Sequence, residues 1–510
     1  MSEQSTPQTS VALESTTPQY AELVPYAAVP EGDSAPGIHP TPGPRPQRLH
    51  WTGRRLDGEP VLLDETPDVK EEAGYERQFK GRRLIGLDVA RGLALIGMVA
   101  VHTIPAWNPI TETRSIAWIA AAGNASALFA LLAGVGMALM TRGPRHEHGS
   151  SLRSQRFKIA IRALLLYGIG ILVTTFFVTP VYNILPYYAV MFLLLLPFLG
   201  MRKRQLAVWA LGLAITMPFV IHLFRYFQPF DVHNEFLLGD FFLAPMAIAT
   251  SLFFTGTYPA ATWIVYLLVG LMIGRLALDR LAIQVSLLGY GALLGIMGHS
   301  MSYLSIWFFG GWERMLYSAP EVTVREVLWM IRRGADYQEL PATSLAWLTV
   351  ASPHTNTFFA LVQTTGNAMM ALGACLLLCR IIPKYLGVLA FLGSMTLTLY
   401  TAHLIFLTSY LQEEMPYLSL TLQLIVGTAF VYLWSRFFRQ GPLEWVVAKV
   451  SGFPPQLLQA RQRIDTSASR RRRARTRTSR KHHTGLYTTP GAPAGAVEPA
   501  APTKRRRTRK

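Results

Sequence analysis

The chain has 510 residues, of which 51% are hydrophobic and 15% charged, and its formal net charge at pH 7 is +18. Soluble domains carry about 25% charged residues, so this composition excludes an ordinary soluble protein and indicates one that spans a membrane. The two cysteines, Cys375 and Cys379, lie four residues apart in one apolar segment. We therefore expect neither a disulfide framework nor a cysteine-based metal motif.

The N-terminal segment, residues 1–80, is rich in Pro, Ser, Thr, Gly and Glu and shows little apolar periodicity. Such a composition is typical of a disordered arm. Residues 1–50 also lack the apolar core of a cleavable signal peptide. We therefore expect the first apolar helix to act as the signal anchor, and the arm to lie in the cytoplasm.

Ten apolar segments follow, each long enough to cross a hydrocarbon core of about 30 Å. They lie near 84–104, 115–140, 159–178, 184–200, 205–223, 258–277, 281–298, 356–379, 385–408 and 418–437. Residues 240–256 are also apolar, but they are short and broken by Pro245, which favours a re-entrant or interfacial segment. The sequence predicts an all-α integral membrane protein, a bundle of about ten transmembrane helices within a membrane domain at 81–452.

Basic residues orient this bundle. Lys and Arg cluster in every second connection, at 142–158, 202–204, 275–280, 380–384 and 436–449. Among the alternate connections only the long one at 299–354 holds several arginines. By the positive-inside rule both termini are cytoplasmic, the odd-numbered helices run outward, and the chain is a multi-pass protein of the cell membrane.

The first apolar segment carries three ionisable residues, Asp88, Arg91 and His102. Each such group costs about 2.5–3.5 kcal/mol at mid-helix on insertion scales, so groups of this kind usually serve a function. Asp88 and Arg91 are neighbours on one helix face, where they either form a structural ion pair or face a polar cavity. Arg91, together with Arg162 one turn into the third helix, suits the phosphate oxygens of a nucleotide-type donor.

Histidines recur at one predicted depth. His102, His299 and His403 each lie 18 residues into an outward-running segment, about 27 Å from its cytoplasmic end, and His354 precedes the eighth segment on the same outer side. Imidazole suits general acid–base catalysis or transient acyl carriage; the alternative is that these histidines simply lie at the wet interface. None of them has the i, i+3 or i, i+4 partner that pre-forms a metal site, so no metal is expected.

The C-terminal segment, residues 453–510, is of low complexity and includes RRRRARTRTSRKHH and KRRRTRK. Residues 461–510 hold 16 Lys and Arg but only two acidic residues. We predict a disordered cytoplasmic tail that binds anionic lipid headgroups, at about 1 kcal/mol per basic residue near the surface. The alternative is a solvated tail. No specific nucleic-acid partner is expected, since aromatic residues do not interleave the basic ones.

The stretch RLIGLDVARGLALIGMVAVH, followed by SALFALLAG, resembles the N-terminal signature of bacterial membrane proteins related to heparan-alpha-glucosaminide N-acetyltransferase. The later stretches LGSMTLTLYTAHLI and RQGPLEW resemble the C-terminal part of an uncharacterised, GPLEW-containing bacterial membrane family of the same superfamily. Together the resemblance covers roughly residues 82–447, which is the whole membrane domain.

The resemblance implies an acyltransferase that takes an acyl group, expected to be acetyl, from cytoplasmic acyl-CoA to an envelope sugar or glycolipid outside. His102, with His299, His354 or His403, is then the candidate base, and Asp88, Arg91 and Arg162 hold the donor. The chain departs from the lysosomal enzyme, whose catalytic histidine lies in the loop after this helix, because residues 103–123 contain no histidine. Asn124 also stands where relatives often carry Arg.

Two other functions stay open at this point. A transporter or flippase for an envelope lipid or glycan would use the same intramembrane charges as a proton relay, although no internal repeat supports it. A structural partner of the envelope machinery would recruit other proteins through the basic tail. A homo-oligomer is compatible with any of the three functions.

Overall fold

The computed structural model describes residues 84–108, 110–141, 152–227, 236–334, 340–438 and 440–452. Within these ranges the chain forms helices, turns and one isolated β-bridge between Trp107 and Arg114, and contains no β-strand. The all-α prediction is confirmed for this part of the chain. The two arms predicted to be disordered, 1–80 and 453–510, lie outside the described residues.

The helices follow one another along the chain. The first nine are α1 (Ile85–Thr103), α2 (Ile116–Ala121), α3 (Asn124–Thr141), α4 (Leu152–Phe176), α5 (Leu185–Leu195), α6 (Lys203–Phe227), α7 (Asp240–Leu243), α8 (Pro245–Thr250) and α9 (Ala260–Ile273). The remaining ones are α10 (Leu281–Trp307), α11 (Gly311–Ser318), α12 (Val324–Arg333), α13 (Phe358–Ile381), α14 (Gly387–Ser394), α15 (Thr396–Leu407), α16 (Leu411–Glu414), α17 (Pro416–Ser435) and α18 (residues 442–452).

Within the described ranges, seven helical segments are long and apolar enough to cross a membrane: α1, α2 with α3, α4, α6, α10, α13 and α17. Two bent pairs raise the number to as many as nine, because residues 245–255 meet α9 at 49° and α14 meets α15 at 80°. The predicted segment at 184–200 forms a shorter apolar helix. The chain is therefore a multi-pass membrane protein, and the tenth span stays a prediction.

Helix α1 is the centre of the bundle and packs against α3, α13 and α14, with further contacts to α2, α15 and α17. Its contact with α14 needs two glycines. A Cβ on Gly92 would overlap the carbonyl oxygen of Leu389, and a Cβ on Gly393 would overlap that of Asp88. Small residues let helix backbones approach this closely in a membrane. The contact therefore fixes α14 beside Asp88 and Gly92.

The next helix, α15, turns away from α14 at Met395, which lies at the end of one helix and the start of the other with φ −127° and ψ 36°. Because the bend is 80°, α14 and α15 are two half-helices instead of the single span expected at 385–408. The bend matters for function since α15 carries His403.

Candidate functional site

Helix α1 ends one residue after His102. Pro105 disfavours helical backbone in the residue before it, and Ile104 accordingly adopts an extended conformation, with φ −89° and ψ 129°. His102 is thus the last ionisable group of α1, and its side chain lines a cavity of about 660 Å³. We call this end of the bundle the His102 end, and the opposite end of α1 the Arg91 end.

Behind His102 lies His403 from α15, which is only 4% exposed. The Nδ1 atom of His102 is 3.0 Å from the Nε2 atom of His403, and the two rings are nearly parallel, at 9° to each other, with centroids 5.2 Å apart. The Nδ1 atom of His403 is in turn 2.6 Å from the side-chain oxygen of Gln423 in α17. Helix α1 and two helices some 300 residues further along the chain therefore supply one chain of hydrogen bonds, which we call the histidine relay.

When both histidines are neutral, the hydrogen bonds of the relay determine which nitrogen of each ring carries the proton. An amide oxygen only accepts, so Nδ1 of His403 donates to Gln423, whose own amide nitrogen donates to Ser419 at 3.2 Å. The Nε2 atom of His403 then carries a lone pair, and Nδ1 of His102 must donate to it. The remaining lone pair falls on Nε2 of His102, the atom suited to take a proton.

His354 reaches the same cavity from the loop before α13. Its ring lies parallel to Trp263 with centroids 6.3 Å apart, and meets Tyr258 edge to face at 5.2 Å. His354 and Asn356 both have a left-handed backbone, with φ 57° and 56°, a conformation that costs of order 1–3 kcal/mol for most residues. The Asn356 amide holds the loop, donating to the carbonyl of His354 at 2.9 Å and accepting from Trp263 at 2.7 Å.

The structure therefore brings together three of the four predicted histidines, since His354 lies within electrostatic range of His102. It does not bring His299 to them. His299 is exposed on α10, a helix that packs mainly on α13, and it does not line the cavity. All four candidates share one predicted depth in the bundle, but His299 faces the outside of it.

Sequence reasoning missed two cavity residues, His222 and Arg225 of α6. The predicted segment ended at residue 223, whereas α6 continues to Phe227 and contains Pro218 within it. The signal was present, because an ionisable pair three residues apart at the end of an apolar segment is the same pattern that singled out Asp88 and Arg91.

The cavity is also lined by Leu340, Pro341 and Trp347, which belong to a segment of residues 311–334 and 340–357 that we call the cap. Arg333 of the cap stacks on Trp107 in the loop after α1, and Arg114 stacks on two rings outside the cap. The guanidinium of Arg114 lies 5.4 and 5.0 Å from the rings of Trp107 and Trp118, and that of Arg333 lies 4.9 and 3.7 Å from Trp107 and Trp329.

Burial, and secondarily Arg332, lowers the pKa of Arg114, yet an arginine remains charged at neutral pH. The cation–π stacking of Arg114 on Trp107 and Trp118 therefore persists at neutral pH. An ion pair between Arg325 and Glu112, with 2.7 Å between nitrogen and oxygen, adds a second contact between the cap and the loop after α1.

The residues predicted to bind the acyl donor lie at the Arg91 end. Arg91 and Asp88 form an ion pair at 3.2 Å, in which 32% of the Arg91 side chain but only 7% of the Asp88 side chain is exposed. Arg162 lies within electrostatic range of Arg91 and of Glu444, and it donates to the sulfur of Met140 at 3.5 Å. Both predicted roles of the Asp88–Arg91 pair are compatible with this geometry, because the pair is formed while Arg91 keeps an open side.

Across the described residues no group of three or more His, Cys, Asp or Glu side chains is placed to hold a metal ion. The Arg91 end and the His102 end belong to one helix: Arg91 and His102 are eleven residues apart in α1, about 16 Å along its axis. The fold and site together define a multi-pass membrane protein with guanidinium groups at one end of its central helix and a buried imidazole relay at the other.

Residues 83–309 match the family model described as heparan-alpha-glucosaminide N-acetyltransferase, catalytic. This part of the chain is therefore similar to the catalytic domain of that acetyltransferase. The match extends from the start of α1 beyond the end of α10, so it includes Asp88, Arg91, His102 and Arg162 but ends before His354 and His403. No match was found among the curated proteins.

Proposed function

We propose that the protein is a transmembrane acyltransferase that moves an acyl group, with acetyl as the first candidate, from cytoplasmic acyl-CoA to an extracytoplasmic sugar or glycolipid. The observation that carries the proposal is the histidine relay. It leaves an imidazole lone pair at a cavity, on the same helix whose other end presents Arg91. The match to an acetyltransferase catalytic domain supports the same reaction class.

In the proposed reaction, Nε2 of His102 takes a proton from the acceptor's amine or hydroxyl while the acceptor attacks the thioester carbonyl. The new C–N or C–O bond forms and the C–S bond breaks. The CoA thiolate leaves and receives the proton that His102 took up. As positive charge develops on His102, its Nδ1–H continues to donate to His403, which Gln423 holds in place. General base catalysis of this kind contributes about 10²–10⁴-fold.

The donor would be held at the Arg91 end. Guanidinium groups bind phosphate oxygens through charge-assisted, often bidentate hydrogen bonds, each contributing about 1.5–3 kcal/mol. Arg91 and Arg162 provide two such groups near each other, and Asp88 orients the first. By the positive-inside rule this end faces the cytoplasm, where acyl-CoA is available.

The acceptor would occupy the cavity. Its volume of about 660 Å³ lies within the range of small-molecule sites, which are mostly apolar with a few placed polar groups. Aromatic rings of Trp118, Tyr182 and Tyr258 line it, and Asn356 and Arg225 supply polar groups. Aromatic faces beside hydrogen-bonding groups suit a sugar ring, which supports a glycan or glycolipid acceptor.

The test measures transfer from labelled acetyl-CoA to amino sugars by purified protein in lipid nanodiscs. We expect His102→Ala to abolish transfer while the protein stays folded. His299→Ala is the matched control, and its turnover should stay within about twofold of wild type because this histidine lies outside the cavity. Unchanged turnover in His102→Ala would remove the assigned base. Proton-driven uptake of an envelope lipid or glycan by vesicles, with no stabilisation by CoA thioesters, would favour a transporter or flippase instead.

A further inference from the structure

Helix α15 begins at the bend that follows α14, and the amide groups of its first turn need hydrogen-bond acceptors from outside the helix. The first hydrogen bond within α15 runs from the amide of Leu399 to the carbonyl of Met395. The amide groups of residues 396–398 therefore have no acceptor within the helix, and the side chain of Met395 caps none of them. Unsatisfied amide groups cost several kcal/mol where water is excluded, so a partner must come from elsewhere.

Glu444 of α18 supplies these hydrogen-bond acceptors. One of its carboxylate oxygens accepts from the amides of Leu397 at 2.7 Å and Thr398 at 3.1 Å, and the other accepts from the Thr398 hydroxyl at 2.6 Å. A carboxylate at a helix N-terminus also interacts favourably with the helix dipole. Glu444 thus accepts hydrogen bonds from two amide groups and one hydroxyl of α15, although it lies more than 40 residues further along the chain.

The GPLEW stretch delivers this carboxylate. Pro442 is the first residue of α18, a position where proline favours helix formation. Gly441 precedes it, and a Cβ at this position would overlap the Glu444 carboxylate and approach the Thr398 hydroxyl to 2.8 Å. The Leu443 amide donates to that same hydroxyl at 3.2 Å. The local sequence around Glu444 is therefore built around its contact with α15.

His403 lies five residues beyond Thr398 in α15, about 8 Å along the helix axis. We infer that Glu444 is a positioning residue, which fixes α15 and thereby holds His403 against His102. It touches neither acceptor nor reacting atoms. The catalytic part of this inference rests on the proposed acyltransferase function, whereas the placement of His403 does not depend on it.

Glu444→Ala removes three hydrogen bonds at the start of α15. We expect kcat, corrected for the folded fraction, to fall roughly 10- to 100-fold, because a displacement of about 1 Å at a reacting group can cost 10²-fold. The KM for acetyl-CoA should not rise, because the variant also removes a negative charge near Arg162. Glu444→Gln keeps an oxygen for the two amides and should recover most of the kcat lost in Glu444→Ala. Glu444→Asp is one methylene too short and should not.

A second readout does not use activity. Diethylpyrocarbonate modifies neutral histidine, and peptide-level mass spectrometry measures the rate at His403, which is buried in the wild type. This rate should rise at least about fivefold in Glu444→Ala, since buried groups react as fast as their surroundings open. Gln284→Ala is the control: Gln284 bonds Arg380 and the carbonyl of Leu278 at 2.6 and 2.7 Å, away from α15, and its loss should leave the His403 rate unchanged.

Wild-type kcat or wild-type labelling of His403 in Glu444→Ala would overturn the inference. If Glu444→Ala does not fold, Thr398→Ala removes only the hydroxyl contact and should shift both readouts in the same direction by a smaller factor; no shift would equally overturn it. If the wild type transfers no acyl group but Glu444→Ala still exposes His403, the proposed function fails while the positioning role stands.

Discussion

Gln423 is the member of the histidine relay that lies farthest from the cavity, and replacing it tests the proton assignment without altering either histidine. In Gln423→Leu the Nδ1–H of His403 loses the acceptor that lies 2.6 Å away. The ring must then keep an unpaired buried donor or move its proton to Nε2. A proton on Nε2 would oppose the donor on His102 and shift the lone pair of His102 away from the cavity.

The expected loss of activity follows from the free-energy cost of the unpaired donor. A buried donor left without an acceptor costs about 1–3 kcal/mol. One factor of ten in rate corresponds to 1.36 kcal/mol, so we expect kcat to fall by about 5- to 150-fold. The KM for acetyl-CoA should stay constant, because Gln423 is remote from Arg91 and Arg162. Gln423→Glu keeps an acceptor for His403 and should retain activity.

The assay is turnover at saturating acetyl-CoA and saturating amino sugar, with protein folding checked by thermal unfolding. Gln284→Leu is the matched control, since it makes the same chemical change in a buried glutamine outside the relay and should leave kcat unchanged. The reasoning is refuted if Gln423→Leu turns over within twofold of wild type, or if the two variants lose the same fraction of activity.

Three further predictions concern the rest of the molecule. Arg162→Ala should raise the KM for acetyl-CoA by about 10- to 150-fold, which corresponds to the 1.5–3 kcal/mol of a charge-assisted hydrogen bond. The KM for S-acetyl-pantetheine, which lacks the diphosphate, should not change. Equal effects on both donors would exclude Arg162 as a phosphate contact. Gly92→Ala should lower the unfolding temperature, because the added Cβ would overlap Leu389. Gly168→Ala should be neutral or stabilising, because a Cβ at that position would have no atom within 4 Å. Similar shifts in the two variants would contradict the close α1–α14 contact. Deleting residues 461–510 should weaken binding to anionic vesicles and leave kcat intact, and loss of kcat would instead favour recruitment through the tail.

Helix α1 and its ionisable residues could be predicted from the sequence because all the information is local. The segment predicted at 84–104 forms a helix at Ile85–Thr103. A spacing of three residues was enough to place Asp88 beside Arg91, and Pro105 ended the helix just after His102. Depth along a helix follows from counting residues, so the arrangement of donor and relay ends along α1 needed no tertiary contact.

The histidine relay could not be predicted, because it depends on contacts between distant helices. The segment at 385–408 contains no proline. Its Gly393–Ser394 pair is a possible kink site, but the pair alone fixes neither the size nor the direction of the 80° bend that turns His403 toward His102. The bend lies beside the close contact of Gly393 with α1. Counting residues also gives no rotation about the helix axis, which is why His299 shared the predicted depth and yet lies outside the cavity.

Transfer across the membrane through His102 can be measured directly in sealed vesicles. Protein of known orientation is reconstituted in sealed vesicles, with labelled acetyl-CoA on the side of the α1 N-terminus and an amino sugar on the other side. We predict label on the amino sugar with wild type and none with His102→Ala. No labelled sugar with folded wild-type protein under any acceptor tested, or equal labelling by His102→Ala, would contradict the account.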